Sequence, residues 1–277
     1  MASSSSSLKT PVRWPAEAIW EAVSPSLPGF TVEVVPEIAS TNTELMRRCR
    51  EATRQGLAPD AVLLVAEQQT AGRGRQGRSW HSAAGHSLTF SLGLPLAPHD
   101  WSGLSLAVGV SLAESLDPTG GRLQLKWPND VWLDGRKLAG ILVETASWGG
   151  ERYVVIGVGI NVLPADDRKV TGGVAATSLA ALAPGMDAPA ALLAVAAPLV
   201  RAVQAFEALG FAAFAARFAA RDALAGQSIA LSDGTQGTAH GVGEKGELLV
   251  LTASGMQAIN SLEVSVRPVT PEAGGAS

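Results

Sequence analysis

The sequence predicts an α/β fold in two parts: a mixed β-sheet flanked by helices, followed by a small β-barrel. Strand-like and helix-like patterns alternate over residues 31–116, and a block of successive strand patterns follows over residues 123–160. From about Leu224 the pattern changes to short strands separated by glycine-containing turns, which is typical of a small barrel. We therefore expect a loosely packed tail over residues 1–30, a main domain over 31–222, a barrel over 223–270 and a second tail over 271–277.

The composition excludes several classes of protein. The 277 residues are 47% hydrophobic and 17% charged, which is typical of a folded chain rather than a disordered one. The net charge of -4 gives no overall basic field for nucleic acid or anionic membranes. The single cysteine cannot form an intramolecular disulfide, and the serine-rich start lacks the apolar segment of a signal peptide. The apolar run near residues 188–200 is interrupted by Pro189 and Pro198, so we expect a cytoplasmic protein without a membrane span.

The first half of the chain alternates strands and helices. Residues 31–35 predict a strand, and Leu45, Met46 and Cys49 have helical spacing in the segment that follows. Thr41 and Glu44 have the spacing of a capping box at the start of that helix. The apolar run over residues 61–66 predicts a buried strand, and it leads into thirteen polar residues, 67–79. A connection of that length is usually functional or disordered.

The second half begins with strands and ends in helices before the predicted barrel. Residues 88–92 alternate as a strand, and residues 104–116 carry leucine or valine at every fourth position, as on one face of a helix. Residues 123–127, 131–133, 138–145 and 153–160 predict four strands, with Asp134-Gly135 and Gly149-Gly150 as hairpin turns. Residues 189–218 predict helix, which we expect Pro198 to kink or divide.

Residues 72–79, here called the arginine loop, read Gly-Arg-Gly-Arg-Gln-Gly-Arg-Ser. They match the glycine patterns of dinucleotide-binding and phosphate loops, but they neither follow a strand directly nor open a helix, as both of those folds require. The loop does place Arg73, Arg75 and Arg78 on a backbone that glycine allows to approach a ligand closely. It therefore indicates either a polyphosphate site or a solvated basic surface loop.

Five segments, taken in order, resemble the biotin protein ligase family: residues 40–42 (Ser-Thr-Asn), 66–80 (from Ala66 through the arginine loop to Trp80), 126–130 (Lys-Trp-Pro-Asn-Asp), 137–144 (Lys-Leu-Ala-Gly-Ile-Leu-Val-Glu) and 157–161 (Gly-Val-Gly-Ile-Asn). Each segment alone would be a weak motif. Five segments in the family's order and at similar separations are a specific match to the family. The resemblance covers residues 40–161, and the rest of the chain is only loosely similar.

The resemblance implies the fold of the biotin and lipoate ligases, with an SH3-like C-terminal barrel, and a reaction in two steps. Biotin and ATP give biotinyl-5′-AMP and pyrophosphate, and a lysine of a biotin carboxyl carrier domain then takes the biotin. Such chemistry must hold two anions together, which requires fixed cations and exclusion of water. A mostly apolar pocket with a few polar groups suits the apolar body and the ureido head of biotin.

The resemblance also implies a role for individual residues. Lys137 and Arg75 are the expected catalytic cations. Biotin binding is expected of Ser40, Thr41, Asn42, Gln69, Gly72, Arg73, Gly74, Arg75 and Lys137. ATP binding is expected of Arg75, Arg78, Trp80, Asn129 and Asn161, and Asp130 is the expected ligand of Mg²⁺. From the residues alone, helix capping by Ser40 to Asn42, a surface position for Lys137 and a core position for Trp80 are alternatives.

Two features of the chain depart from the family. Some members carry an N-terminal DNA-binding domain of about sixty residues, but only 39 residues precede Ser40 here, so we expect no specific DNA binding. Residues 164–178 match the second mobile loop of the family poorly and receive no roles. A lipoate or other acyl-adenylating ligase, or a non-catalytic ligand-binding regulator, are the alternative functions. We expect a monomer or a homodimer.

Overall fold

The computed structural model describes residues 12–148, 150–164, 175–260 and 266–268. The main sheet is built from seven strands: β1 (Thr31–Ile38), β2 (Val62–Gln69), β5 (Ser87–Pro95), β6 (Leu123–Lys126), β7 (Asp130–Leu133), β8 (Arg136–Trp148) and β9 (Glu151–Asn161). Between β2 and β5 lie the short strands β3 (Gly72–Arg73) and β4 (Ser79–Trp80), which pair with each other. The sheet has the order β1-β2-β5-β9-β8-β7-β6, with β1 and β2 parallel and the other pairs antiparallel. The predicted mixed sheet is therefore confirmed.

Helices cover both faces of this sheet. They are α1 (Ala16–Val23), α2 (Thr41–Arg54), α3 (Leu104–Leu116), α4 (Leu179–Leu182), α5 (Ala188–Leu209) and α6 (Ala215–Ala219). Alternate residues of β2 point to opposite faces: Leu63 and Val65 join the main core with α3 and α5, whereas Val62 and Leu64 join a smaller cluster under α2. Because β2 is buried on both faces, it reads as a continuous apolar run.

The long helix α5 is continuous through Pro198, so the expected division of the helix is wrong, and a kink at this proline remains a prediction. By length and hydropathy alone α5 could cross a membrane. However, it packs against α3, α1 and β5, and its apolar face, with Leu192, Val195 and Leu199, is fully buried in the main core. Its apolar character is therefore explained by its position in the core of the domain.

The predicted loose tail over residues 1–30 is wrong for its second half. Residues 16–23 form α1, and Ile19 and Val23 are buried in the main core together with Phe30. Trp14, just before the helix, donates a hydrogen bond from Nε1 to Glu67 at 3.0 Å. This segment therefore packs on the main domain, while residues 1–11 and 269–277 lie outside the described residues.

The C-terminal part is a five-stranded antiparallel sheet, with β10 (Ser228–Leu231), β11 (Gln236–Val242), β12 (Leu248–Thr252), β13 (Gly255–Ile259) and β14 (Val266–Pro268). Its order is β13-β12-β11-β10-β14. No pairing among the described residues joins β14 to β13, so the predicted barrel is observed as an open sheet. Trp127 connects the two parts, because its Nε1 donates to the Gly246 carbonyl at 2.9 Å. The boundary near residue 223 remains a prediction.

Candidate active site

A cavity of about 590 Å³ opens where the N-terminus of α2, the arginine loop and the glycine-bearing strands β8 and β9 meet. Its wall includes every predicted site residue except Gly72: Ser40, Thr41, Asn42, Gln69, Arg73, Gly74, Arg75, Arg78, Trp80, Asn129, Asp130, Lys137 and Asn161. The sequence separates these residues by up to 121 positions. The fold therefore brings the five sequence segments to one place.

Gly72 belongs to the hairpin of the arginine loop. It pairs with Trp80 between β3 and β4, and a Cβ at this position would collide with the Trp80 carbonyl oxygen. A glycine is thus required here for the close approach of two backbones. Gly72 thus has a structural role in the hairpin of the arginine loop, and its expected contact with biotin remains a prediction.

The polar end of the cavity is formed at the start of α2. Ser40 is the capping residue, since its Oγ accepts from the Thr43 amide at 3.4 Å; the predicted capping position was one residue later. Thr41 donates from its amide and its hydroxyl to Gln69 Oε1, at 2.7 and 3.1 Å. Buried polar groups are costly unless they are hydrogen-bonded, so these contacts fix the positions of the three side chains.

Ser91 of β5 joins the two predicted polar residues that follow the cap. Its hydroxyl lies 2.6 Å from Thr41 Oγ1 and 2.6 Å from Asn42 Oδ1, and its side chain is fully buried. Asn42 donates from Nδ2 to the Leu142 carbonyl at 3.2 Å and to Glu144 Oε2 at 3.0 Å. These bonds fix the orientation of the Asn42 amide. A Cβ at Gly157 would collide with Asn42 Oδ1, so glycine at this position makes room for the amide.

The arginine loop covers the cavity as a hairpin. The Gly74 amide donates to the Arg78 carbonyl at 2.7 Å, and the turn places Gln76 and Gly77 at positive φ, 54° and 70°. Arg73 forms an ion pair with Glu144 at 3.1 Å. Arg75 donates from Nη1 to Asn129 Oδ1 at 3.4 Å, and its burial lowers its pKa. Arg75 thus points into the cavity, whereas Arg73 and Arg78 line it as exposed residues.

The other end of the cavity is strongly cationic. Among the described residues, six cationic side chains line the whole cavity against one carboxylate: Arg73, Arg75, Arg78, Lys126, Lys137 and Arg267, with Asp130. Lys137 Nζ pairs with Asp130 Oδ1 at 2.7 Å. Lys126 is only 7% exposed, and burial lowers its pKa despite the attraction of Asp130. Concentrated positive charge in a cavity favours an anionic ligand.

Trp80 lies on a floor made by two glycines. A Cβ at Gly159 would collide with the Trp80 indole, and a Cβ at Gly140 would lie 3.2 Å from Lys137 Nζ. Lys137 Nζ is 5.8 Å from the centre of a Trp80 ring, within the range of a cation–π contact. The buried Nε1 of Trp80 has no hydrogen-bond acceptor within the described part of the chain. Trp80 is therefore a cavity residue and not a core residue.

The two predicted asparagines hold the backbone of the cation-rich end. Asn129 donates from Nδ2 to the Ile141 carbonyl at 2.8 Å, and its Oδ1 accepts from Arg75. Asn161 donates to the Lys137 carbonyl at 3.4 Å. Both side chains also face the cavity. Asn129 therefore holds Arg75 and the backbone of β8, and Asn161 holds the backbone of Lys137, while both asparagines line the cavity.

The donor set around Asp130 does not form a metal cage of its own. No group of three or more His, Cys, Asp or Glu residues that could hold a metal ion occurs in the described ranges. Asp130 is paired with Lys137. Magnesium commonly binds through one or two carboxylates together with substrate phosphates. The site fits that mode, in which the phosphates supply most of the ligands.

Two charged cavity residues, Lys126 and Arg267, were not assigned roles from the sequence, and neither were Ser91 and Glu144, which bond to Asn42 at the polar end. Lys126 and Glu144 lie inside the matching segments, so their charge was a usable signal. Ser91 belongs to β5, where Ser87, Thr89 and Ser91 alternate with apolar residues; all three are buried, although alternation usually indicates an exposed polar face. Arg267 comes from β14 in the C-terminal sheet, and nothing near it in the sequence indicates the distant cavity.

The family model described as "Biotin/lipoate A/B protein ligase family" matches residues 34–161. A biotin--[acetyl-CoA-carboxylase] ligase of Mycobacterium tuberculosis is 40% identical over 144 residues, or 50% of this chain; the match spans about half, 51%, of that relative. A ligase of the same name from Paracoccus denitrificans is 34% identical over 239 residues, covering 81% of this chain and 96% of the relative. The biotin protein ligase of Aquifex aeolicus in complex with biotin and ATP has a TM-score of 0.70 at 29% identity, covering 86% and 99% of the two chains.

Proposed function

Because the chain belongs to the biotin/lipoate A/B protein ligase family, we propose that it is an ATP-dependent biotin protein ligase. The observation that carries the proposal is the cavity, which joins a fixed polar network at one end to a group of cations at the other. Biotin has a polar ureido head and an anionic carboxylate, and ATP adds a triphosphate. The two ends of the cavity match the two ends of this substrate pair.

In the first step a biotin carboxylate oxygen attacks the α-phosphorus of ATP, and the bond to the β-phosphate breaks with release of pyrophosphate. Two anions must approach each other, so cations at the reacting atoms lower the barrier. Lys137 is suited to the carboxylate and α-phosphate, and Arg75 to the adenylate phosphate. Asp130 holds the Lys137 ammonium at 2.7 Å before the substrates arrive. Lys126 and Arg78 add charge where the pyrophosphate would leave.

In the second step the amine of a carrier lysine attacks the carbonyl of biotinyl-5′-AMP, and the bond to AMP breaks. The arginine loop excludes water from the mixed anhydride, which would otherwise hydrolyse. Asn42, Thr41 and Gln69 hold the ureido head, while Trp80 and Asn161 face the adenosine. Asp130 would hold Mg²⁺ together with the phosphates, and the ion would supply further charge neutralisation.

Lipoate ligation is the second candidate, because adenylation of lipoate needs the same cations. The polar end of the cavity distinguishes the two substrates. A dithiolane ring makes poor hydrogen bonds, so it would cover the polar end of the cavity without gaining hydrogen bonds there. A ureido group both donates and accepts. The structure of the polar end therefore favours biotin.

The proposed acceptor is the carrier domain of a biotin-dependent carboxylase. Mass spectrometry of that domain after incubation with the protein, ATP and biotin tests this directly. We expect modification of its target lysine, and none on a carrier in which that lysine is replaced by arginine. Modification by lipoate but not by biotin would contradict the proposal. Function in the cytoplasm, as a monomer or homodimer that does not bind specific DNA, remains a prediction from the sequence.

A further inference from the structure

A continuous chain of polar contacts runs from the polar end of the cavity to the arginine loop. It starts at Gln69 and passes through Thr41, Ser91 and Asn42 by the bonds described above. Its last member before the loop is Glu144 of β8, for which neither sequence motif nor mechanism supplies a role. Glu144 is therefore the only described residue that contacts both the Asn42 amide and the Arg73 guanidinium.

Each oxygen of the Glu144 carboxylate has its own partner. Oε2 accepts from Asn42 Nδ2 at 3.0 Å, and Oε1 pairs with Arg73 Nη2 at 3.1 Å. The Glu144 side chain is 22% exposed and that of Arg73 50% exposed. One side of the carboxylate thus faces a buried network and the other a covering loop at the protein surface. A rotation of the carboxylate would disturb both contacts together.

We propose that Glu144 is a positioning residue that couples ligand contact at Asn42 to the position of Arg73, and through Arg73 to the arginine loop. The identity of the ligand as a cyclic urea rests on the proposed function. A ligand N–H that donates to Asn42 Oδ1 adds to the bonds that orient this amide, whose Nδ2 holds the Glu144 carboxylate toward Arg73. Coupling of this kind is reciprocal, so a fixed loop also favours the amide orientation that binds the ligand.

A purely structural role for Glu144 predicts different behaviour. An ion pair of this exposure contributes little to folding, so its loss should change the thermal midpoint little. Coupling instead predicts that removing the Glu144 carboxylate abolishes the response of the arginine loop to ligand and leaves the fold intact. The decisive readout is therefore protection of the loop by ligand, not stability.

Glu144→Gln separates the two contacts, because its amide oxygen can still accept from Asn42 while the charge that holds Arg73 is gone. Trypsin cleavage after Arg75 and Arg78 in the full chain reports the position of the loop, with and without saturating biotin. We expect wild type to be protected by biotin. In the variant, cleavage without ligand should be about threefold faster, and most of the protection should be lost. The matched control is Glu114→Gln, which removes an ion pair with Arg217 of similar exposure, outside the cavity wall.

A double-mutant cycle gives a second test. Glu144→Gln and Arg73→Gln should each raise the dissociation rate of biotin, and the double variant should dissociate no faster than the faster single variant. Effects that multiply would overturn the coupling, as would biotin protection in Glu144→Gln equal to that of wild type. If wild type binds biotin but the variants do not behave as expected, the coupling through Glu144 is wrong and the proposed function stands. If wild type binds no biotin, the proposed function is wrong, and the coupling to biotin is wrong with it.

Discussion

At the scale of single residues, the site is defined by how each charge is held before the substrates bind. Lys137 is paired with Asp130, whereas Lys126 is nearly buried beside the Trp132 ring, 5.3 Å from its centre. A paired ammonium is positioned at little cost to the fold. A buried ammonium that gains its full partner only with an anion destabilises the free protein. The two lysines should therefore respond differently to substitution.

Lys137→Ala should slow adenylation by about a hundredfold or more, because its charge acts most strongly as the α-phosphate is attacked. Binding of biotin itself should weaken far less. Single-turnover formation of biotinyl-5′-AMP, compared with the biotin dissociation constant, measures the two effects. Lys245→Ala is the control, since Lys245 is 75% exposed in an ion pair with Asp100. Equal losses in binding and in rate would contradict the proposed role.

Lys126→Met should raise the KM for ATP by about tenfold or more, because the variant loses a hydrogen bond between charged groups. It should not lower the stability of the free protein. Burial lowers the pKa of Lys126, which means that the folded state disfavours its charge, and methionine removes that penalty. Urea unfolding and ATP-dependent kinetics test both parts. A large loss of stability with an unchanged KM would assign Lys126 to the core and not to the site.

At the scale of elements, strands β8 and β9 form the floor of the cavity because their sequences place glycines under the site. Gly140 in β8 and Gly157 and Gly159 in β9 leave space for Lys137, Asn42 and Trp80 in turn. In most strands glycine weakens packing. Here its lack of a side chain is what allows three functional groups to lie directly on the sheet.

Gly159→Ala tests this function of the floor. The added methyl group should displace the Trp80 indole and lower the rate of adenylation by about tenfold, through misplacement of groups around the reacting atoms. Near-ultraviolet circular dichroism should show the change in the environment of Trp80. Gly121→Ala is the matched variant, because a Cβ there meets nothing within 4 Å. Normal activity in Gly159→Ala would show that Trp80 does not need its present position.

The strands and helices of the main domain follow local patterns, which explains why the sequence predicts most of them. The buried run of β2, the four-residue spacing of α3 and the Asp134-Gly135 turn are all local signals; Asp134 and Gly135 do adopt positive φ, 51° and 72°. Helix α1 was not predicted because it is only eight residues long and depends on tertiary packing.

The parts of the site that the sequence does not predict depend on contacts between distant residues. Ser91 and Asn42 are 49 positions apart, and the Glu144 contact with Asn42 spans 102 positions. No local pattern encodes which buried polar groups will meet. The family motifs located most of the cavity wall, but they gave no position for Ser91 or for Arg267.

At the scale of the whole molecule, Asp117 is a junction between α3, β6 and the chain that leads to the C-terminal sheet. Its Oδ2 accepts from the Arg122 and Leu123 amides, both at 2.9 Å, and from Arg221 at 3.4 Å. Burial alone would raise its pKa, but these hydrogen bonds and one from Thr119 lower it to about 2. The ionised carboxylate therefore stabilises the fold.

A lowered pKa means that the stabilisation by Asp117 is present above its ordinary value of 3.8 and is lost as the pH falls toward 2. The difference corresponds to about 2 kcal/mol. Asp117→Asn should lower the free energy of unfolding at pH 7 by about this amount, and it should flatten the decline in stability between about pH 4 and pH 2. Urea unfolding at several pH values measures both effects, with the exposed Asp60→Asn as control. An unchanged acid profile would contradict this account of the junction.

The two sheets also meet at the site, because β14 brings Val266 and Arg267 to the cavity wall while Trp127 binds the Gly246 carbonyl. The C-terminal sheet therefore belongs to the same packed unit as the cavity. Ile229, Leu248 and Val250 of this sheet are buried in the core cluster that also contains α3 and α5. The intact chain, and not a fragment of it, is consequently the right material for functional tests.

We infer that this cavity activates the carboxylate of biotin with ATP, and pyrophosphate exchange on the purified full chain is the first experiment to make. With labelled pyrophosphate, we expect exchange into ATP that depends on biotin, that is not supported by lipoate and that is strongly reduced in Lys137→Ala. Exchange with lipoate alone would keep adenylation as the reaction but would contradict biotin as the substrate. Absence of exchange with either acid would contradict the assignment of the cavity as an adenylating site.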